Sequence, residues 1–145
     1  MRLSEMRIHP NGAKSWGLVA QALLYIGLGI NHFWHWKSYV GIMPTHYSHP
    51  HLLVLISGVV EILGGLGLLL ERTRRLSAWG LIAMLLIYFD VHFFMAMNPG
   101  RFALIPVWLL YLRIPFQVLL IGWAWFYARG PIILSDPDSD STSSK

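Results

Sequence analysis

Four long apolar runs separated by short polar stretches dominate the chain. They cover about Ser15–Trp36, Leu52–Leu70, Ser77–Met97 and Pro106–Tyr127. A bilayer core is crossed by roughly 20 helical residues rising about 1.5 Å each, and each run has that length. Any one of them alone could be the buried helix of a soluble protein. Four within 145 residues leave too little polar sequence to cover such a core. The pattern predicts an all-α fold, a four-helix transmembrane bundle occupying residues 15–128, with an N-terminal tail at 1–14 and a C-terminal tail at 129–145. The first run is not read as a secretory signal, because His32-Phe33-Trp34-His35-Trp36 follows it where a small-residue cleavage site would stand.

The direction of the spans follows from Lys and Arg. Arg2, Arg7, Lys14, Arg72, Arg74, Arg75, Arg129 and Lys145 fall on one side, and only Lys37 and Arg101 on the other. This asymmetry predicts both termini in the cytoplasm and a multi-pass protein of the cell (plasma or bacterial inner) membrane. Trp16, Trp34, Trp36, Trp79, Trp108, Trp123 and Trp125 fall near the predicted span ends, as an interfacial aromatic belt requires.

Composition agrees with that picture. The chain is 55% hydrophobic and 12% charged, against roughly 25% charged in a soluble domain. The net charge of +4 would suit nucleic acid, but the basic residues sit at the ends of apolar runs, so nucleic-acid binding is excluded. No cysteine is present, which removes disulfides, thiolate metal sites and thiol catalysis. The stretch Ser135–Lys145 is rich in Ser and Asp and is expected to be disordered.

Candidate chemistry lies within the spans. Ionisable side chains there are costly, about 2.5 to 3.5 kcal/mol on insertion scales, and they normally face the interior in pairs. Glu61 lies about 13 Å from the outer end of its span, and Asp90 and Arg113 about 10 Å. Gln117 follows Arg113 by one turn, and Asn31 and His32 lie about a turn from the outer end of span one. These polar groups share the outer half of the membrane, whereas the cytoplasmic half has almost none. A polar network or pocket toward the outer side is therefore expected, with Arg113 as the partner of Glu61. Ser57, Glu61 and Gly65 share one helix face, and Gly58, Gly64 and Gly67 admit a neighbouring helix closely. Two carboxyls and one arginine at that depth leave one carboxyl without a counter-charge, and burial favours its neutral form. Asp90 and His92, two residues apart, point to different sides of their helix. His32, His35, His46, His49 and His51 are read as interfacial hydrogen-bonding residues, with no metal site predicted.

Several short motifs, in order, carry a family resemblance. They are Gly29-Ile30-Asn31-His32-Phe33, Tyr39 to Pro44, Ser57 to Gly65, Arg72-Thr73-Arg74-Arg75-Leu76 with Ala78-Trp79-Gly80, Met95 to Asn98, and Leu112 to Gln117 with Trp123-Ala124. Together, over about Leu18–Arg129, the chain resembles the DoxX-like family of small four-span membrane proteins. The resemblance implies His32, Glu61, Asn98, Arg113 and Gln117 as shared polar positions. It sets Asp90 apart, because Asp90-Val91-His92 stands where family members often carry Pro-Ala-Asn.

Two functional readings stay open. One is an accessory or assembly subunit of a membrane complex, with a membrane-protein or homo-oligomeric partner and no chemistry of its own. The other is a redox subunit binding a small lipophile of the quinone type, an activity suggested by the family's namesake. No cofactor motif is evident, neither GxGxxG nor CxxC, so electrons would come from a partner. Whether the chain is an enzyme is left open. A transporter fits less well, since transport asks for polar groups through the whole depth.

Overall fold

The computed structural model describes residues 13–129, with side chains from Trp16 onward. Five helices and a 3-10 turn follow one another: α1 (Ala13–Trp34), α2 (Trp36–Ile42), α3 (Pro50–Leu69), α4 (Glu71–Met97), the turn Pro99–Phe102, and α5 (Val107–Arg129). Among the described residues there is no strand, and the all-α expectation holds. The expectations for the tails, including Arg2, Arg7, Lys145 and disorder beyond Ser135, lie outside the described residues.

The helix boundaries differ from the apolar runs in two places. The first helix stops at Trp34, and a separate α2 follows after His35, whose backbone sits at φ −116°, ψ 30°. Asn31 secures this corner. Its Oδ1 lies 2.7 Å from His35 Nδ1, and its Nδ2 donates to the Tyr39 hydroxyl at 2.8 Å. Hydropathy did not reveal α2 because this short helix buries none of its residues. The second difference is that the predicted arginine loop is helix. Leu70 alone, extended at φ −91°, ψ 124°, separates α3 from α4. A helix leaves its last carbonyls unpaired, and the first turn of α4 supplies the missing donors. Thr73 Oγ1 donates to Gly67 O at 2.9 Å and Arg74 Nε to Leu68 O at 2.8 Å. Arg74 is therefore buried as a cap, and its charge also suits the negative end of the α3 dipole.

The helices pack in the order α1 on α3, α3 on α4, and α4 on α5. Close approach of α1 and α3 depends on glycine. A Cβ on Gly29 would lie 2.6 Å from Gly58 O, and one on Gly65 would lie 2.7 Å from Ala22 O. The main core joins Leu18, Ala22 and Tyr25 of α1 to Leu68, Leu81, Leu85, Leu120, Ala124 and Tyr127. A smaller cluster, Met95, Phe102 and Leu110, closes the end of the molecule that carries α2. The outer surface is apolar, with Leu23, Leu63, Leu66, Ile87 and Leu119 all exposed. Three helices, α3, α4 and α5, are long and apolar enough to cross a membrane. At 22 residues α1 has the length, about 33 Å, but it carries Gln21, Asn31 and His32.

Candidate functional site: a buried Glu–His–Tyr cluster

Glu61 sits near the middle of α3, on the face that Gly58 and Gly65 press against α1. That packing carries its carboxylate inside the molecule, 2% exposed. Its two oxygens meet different helices. Oε1 accepts from the Tyr88 hydroxyl of α4 at 3.1 Å, and Oε2 lies 3.1 Å from His32 Nδ1 of α1. The His32 ring, 5% exposed, is stacked between Tyr39, with centroids 3.9 Å apart, and Tyr88, 6.4 Å away. The expected partnership of Glu61 with Arg113 is not formed. Helix adjacency is the reason: α5 packs along α4, so it is α4 that presents a side chain, Tyr88, to Glu61.

The His32 contact has a particular geometry. Nδ1 is also 2.9 Å from Leu28 O, one turn back. An N–H on Nδ1 aims at that carbonyl, which leaves Glu61 Oε2 close but without a donor in line. Two proton arrangements fit these atoms. In one, Nδ1–H donates to Leu28 O and Oε2 is open to another donor. In the other, the proton sits on Oε2 and donates to Nδ1, with the imidazole N–H on Nε2. A buried acceptor left unsatisfied costs about 1–3 kcal/mol, so the cluster favours any donor that reaches Oε2.

The remaining expected residues divide between other sites. Gln117 is buried, and its Nε2 donates to Leu85 O of α4 at 2.6 Å. Arg113 is half-buried and donates from Nη1 to Met95 Sδ at 3.5 Å. His92, which the sequence left without a partner, stands beside both Arg113 and Gln117. Asp90 is at the rim with its side chain 47% exposed, and it fastens the loop between α2 and α3: it accepts from the Tyr47 hydroxyl at 2.9 Å and lies 3.0 Å from His46 Nε2. Burial and the neighbouring Asp90 push the Tyr47 hydroxyl above its ordinary pKa. Asn98 is exposed and spends its amide on Phe94 O at 2.8 Å, closing the end of α4.

The end of the molecule near Arg74, expected to be nearly free of polar groups, contains some. Gln21 and Tyr25 of α1 are both 0% exposed. The Gln21 amide and the Tyr25 hydroxyl lie against each other, and beyond that loose contact neither has a hydrogen-bond partner within the described residues. Their spacing gave a signal that hydropathy averaging hides: Gln21, Tyr25, Leu28 and His32 follow at four, three and four residues, which places them on one helix face.

Neither a curated protein nor a solved structure matches the chain. A family model described as a domain of unknown function, DUF8561, matches residues 21–128, from Gln21 to Ala128. That span contains all five helices in whole or in part and every side chain of the cluster, and the chain belongs to the DUF8561 family.

Proposed function

We propose that this chain is a DoxX-like, multi-pass membrane protein that binds a small lipophile with a hydrogen-bonding head, of the quinone type, at Glu61, His32 and Tyr88. In this reading all four long helices cross the bilayer, α1 included, as a four-helix bundle. Both termini lie in the cytoplasm, and the cluster is in the outer half of the cell membrane. The Lys and Arg distribution supports the direction. The observation that carries the reading is Glu61 Oε2, buried and without an aligned donor while His32 Nδ1 turns to Leu28 O. A hydroxyl of a reduced, quinol-type head would donate to Oε2 as a charge-assisted hydrogen bond. Any electron exchange would be with a partner subunit.

The accessory-subunit reading is second. Asp90, Asn98 and Arg74 favour it, since each is spent on holding the protein's own elements together. Extraction in mild detergent followed by mass spectrometry of bound lipophiles separates the two, with Glu61→Gln and the rim control Asp90→Asn beside the wild type. A specific lipophile retained by the wild type and Asp90→Asn but lost from Glu61→Gln supports the site. A wild type that carries only bulk lipid removes it and leaves the accessory reading.

A further inference from the structure

The unsatisfied groups on α1 fall into a file with the Glu61 cluster. From Gly17 through Gln21, Tyr25 and Leu28 to His32, the face turns inward over 15 residues, about 22 Å of rise. At its Arg74 end, an added Cβ on Gly17 would lie 2.7 Å from the Tyr127 hydroxyl, and Tyr127 is in turn within electrostatic reach of Arg74. One turn on is Gln21, and one more is Tyr25, which lies beside Gln21 and within electrostatic reach of Glu61. Beyond Glu61 come His32, Tyr88 and Tyr39. Along this line the Gln21 amide and the Tyr25 hydroxyl have only each other within the described residues, and Glu61 Oε2 has no donor in line, so hydrogen-bonding capacity is left over at each.

In folded proteins such atoms are satisfied by internal water, which needs two to four polar partners. Gln21 and Tyr25 alone offer three. Ionisable and hydroxyl groups aligned through membrane depth are the usual substance of proton relays. We propose that the Gln21–Tyr25 face of α1 holds a file of internal waters that carries protons between the Arg74 end of the molecule and the Glu61–His32 pair. A proton arriving on the water held by Gln21 displaces another toward Tyr25. The hydroxyl accepts that proton on its oxygen and releases its own toward Glu61. The carboxylate holds the proton on Oε2, facing His32 Nδ1. The proton then crosses to Nδ1 as the ring releases its Nε2 proton toward the corner where His35 is exposed beside Asn31. Each group thereby returns to its starting charge. Gln21 orients water and does not itself change protonation. This goes beyond the lipophile reading and stands without it, since the file needs only water.

The test uses the full chain in liposomes loaded with a pH-sensitive dye, with potassium and valinomycin clamping the membrane potential while an external pH step is applied. The dye reports the rate at which the lumen follows. Wild type is expected to equilibrate faster than protein-free liposomes, and Glu61→Gln and Gln21→Leu to fall back to the protein-free rate. Gln21→Leu keeps the volume of a side chain whose only polar neighbour among the described residues is Tyr25, and a melting temperature equal to the wild type's, measured beside the rate, separates loss of rate from unfolding. Tyr25→Phe, which removes only the hydroxyl oxygen, is expected to slow the rate as well. The proposal is overturned by a wild-type rate equal to that of empty liposomes. It is equally overturned if Gln21→Leu or Tyr25→Phe keeps the full wild-type rate, or if flux survives Glu61→Gln.

Discussion

At the scale of single residues, the chemistry rests on what stands next to Glu61. A carboxylate with 2% exposure is sustainable only with polar groups close by, and here they are the Tyr88 hydroxyl, which donates to Oε1, and the His32 ring, which lies against Oε2. Removing the hydroxyl while keeping the ring isolates the hydrogen bond. Tyr88→Phe leaves the stack on His32 in place and deprives Oε1 of its donor. The expected cost is about 1–3 kcal/mol, the range for a buried acceptor losing its donor, and toward the upper end if the carboxylate is charged. Reversible unfolding in detergent by denaturant measures it. A cost within a few tenths of zero would mean that Glu61 does not depend on Tyr88. Arg113→Gln, by contrast, is expected to leave Glu61 undisturbed, because its contact is with Met95.

At the scale of elements, the site exists because α1 and α3 come unusually close. Gly29 faces Gly58 O and Ile62, and Gly58 faces His32 Cβ and Phe33. A methyl at Gly29 would press on backbone, which cannot rotate away as a side chain can. Gly29→Ala is therefore expected to push the helices apart and destabilise the protein by about 1–3 kcal/mol, the usual cost of overpacking. Gly27, two residues earlier on the same helix, has nothing within 4 Å of an added Cβ. Gly27→Ala is expected to be neutral or to stabilise by about 0.5–1 kcal/mol, through helix propensity alone. Thermal melts of the two variants side by side give the comparison, and equal effects would contradict the close packing. Ser57, Glu61 and Gly65 were legible as a single face from their spacing. The α1 stripe was equally legible in period but was masked by the leucines and glycines around it.

For the whole molecule, the sharpest question is whether α1 crosses the membrane with the other three. The absence of cysteine makes this direct, because a single introduced thiol is the sole label site. Ser38→Cys, in α2, and Ser15→Cys, in the first turn of α1, flank the length of α1. An impermeant maleimide applied to intact cells is expected to label the first and to reach the second only after permeabilisation. Labelling of both from outside would contradict the proposed orientation.

Sequence alone determined the helical class, the length of the apolar runs and the burial of Glu61, Gln117 and His32. These follow from local hydropathy and from the energetic cost of placing polar groups among apolar ones, both of which act at each position regardless of fold. Tertiary structure decided the pairings. Glu61 meets Tyr88 and His32 in place of Arg113, since partners are chosen by which helices are neighbours and at what height, and apolar runs of similar length carry little information about either. It likewise decided that Arg74 caps α3 and that Gln21 and Tyr25 line up with Glu61. An antiparallel α1–α3 pair brings residues far apart in the chain to one level, and no local pattern along either helix specifies that register.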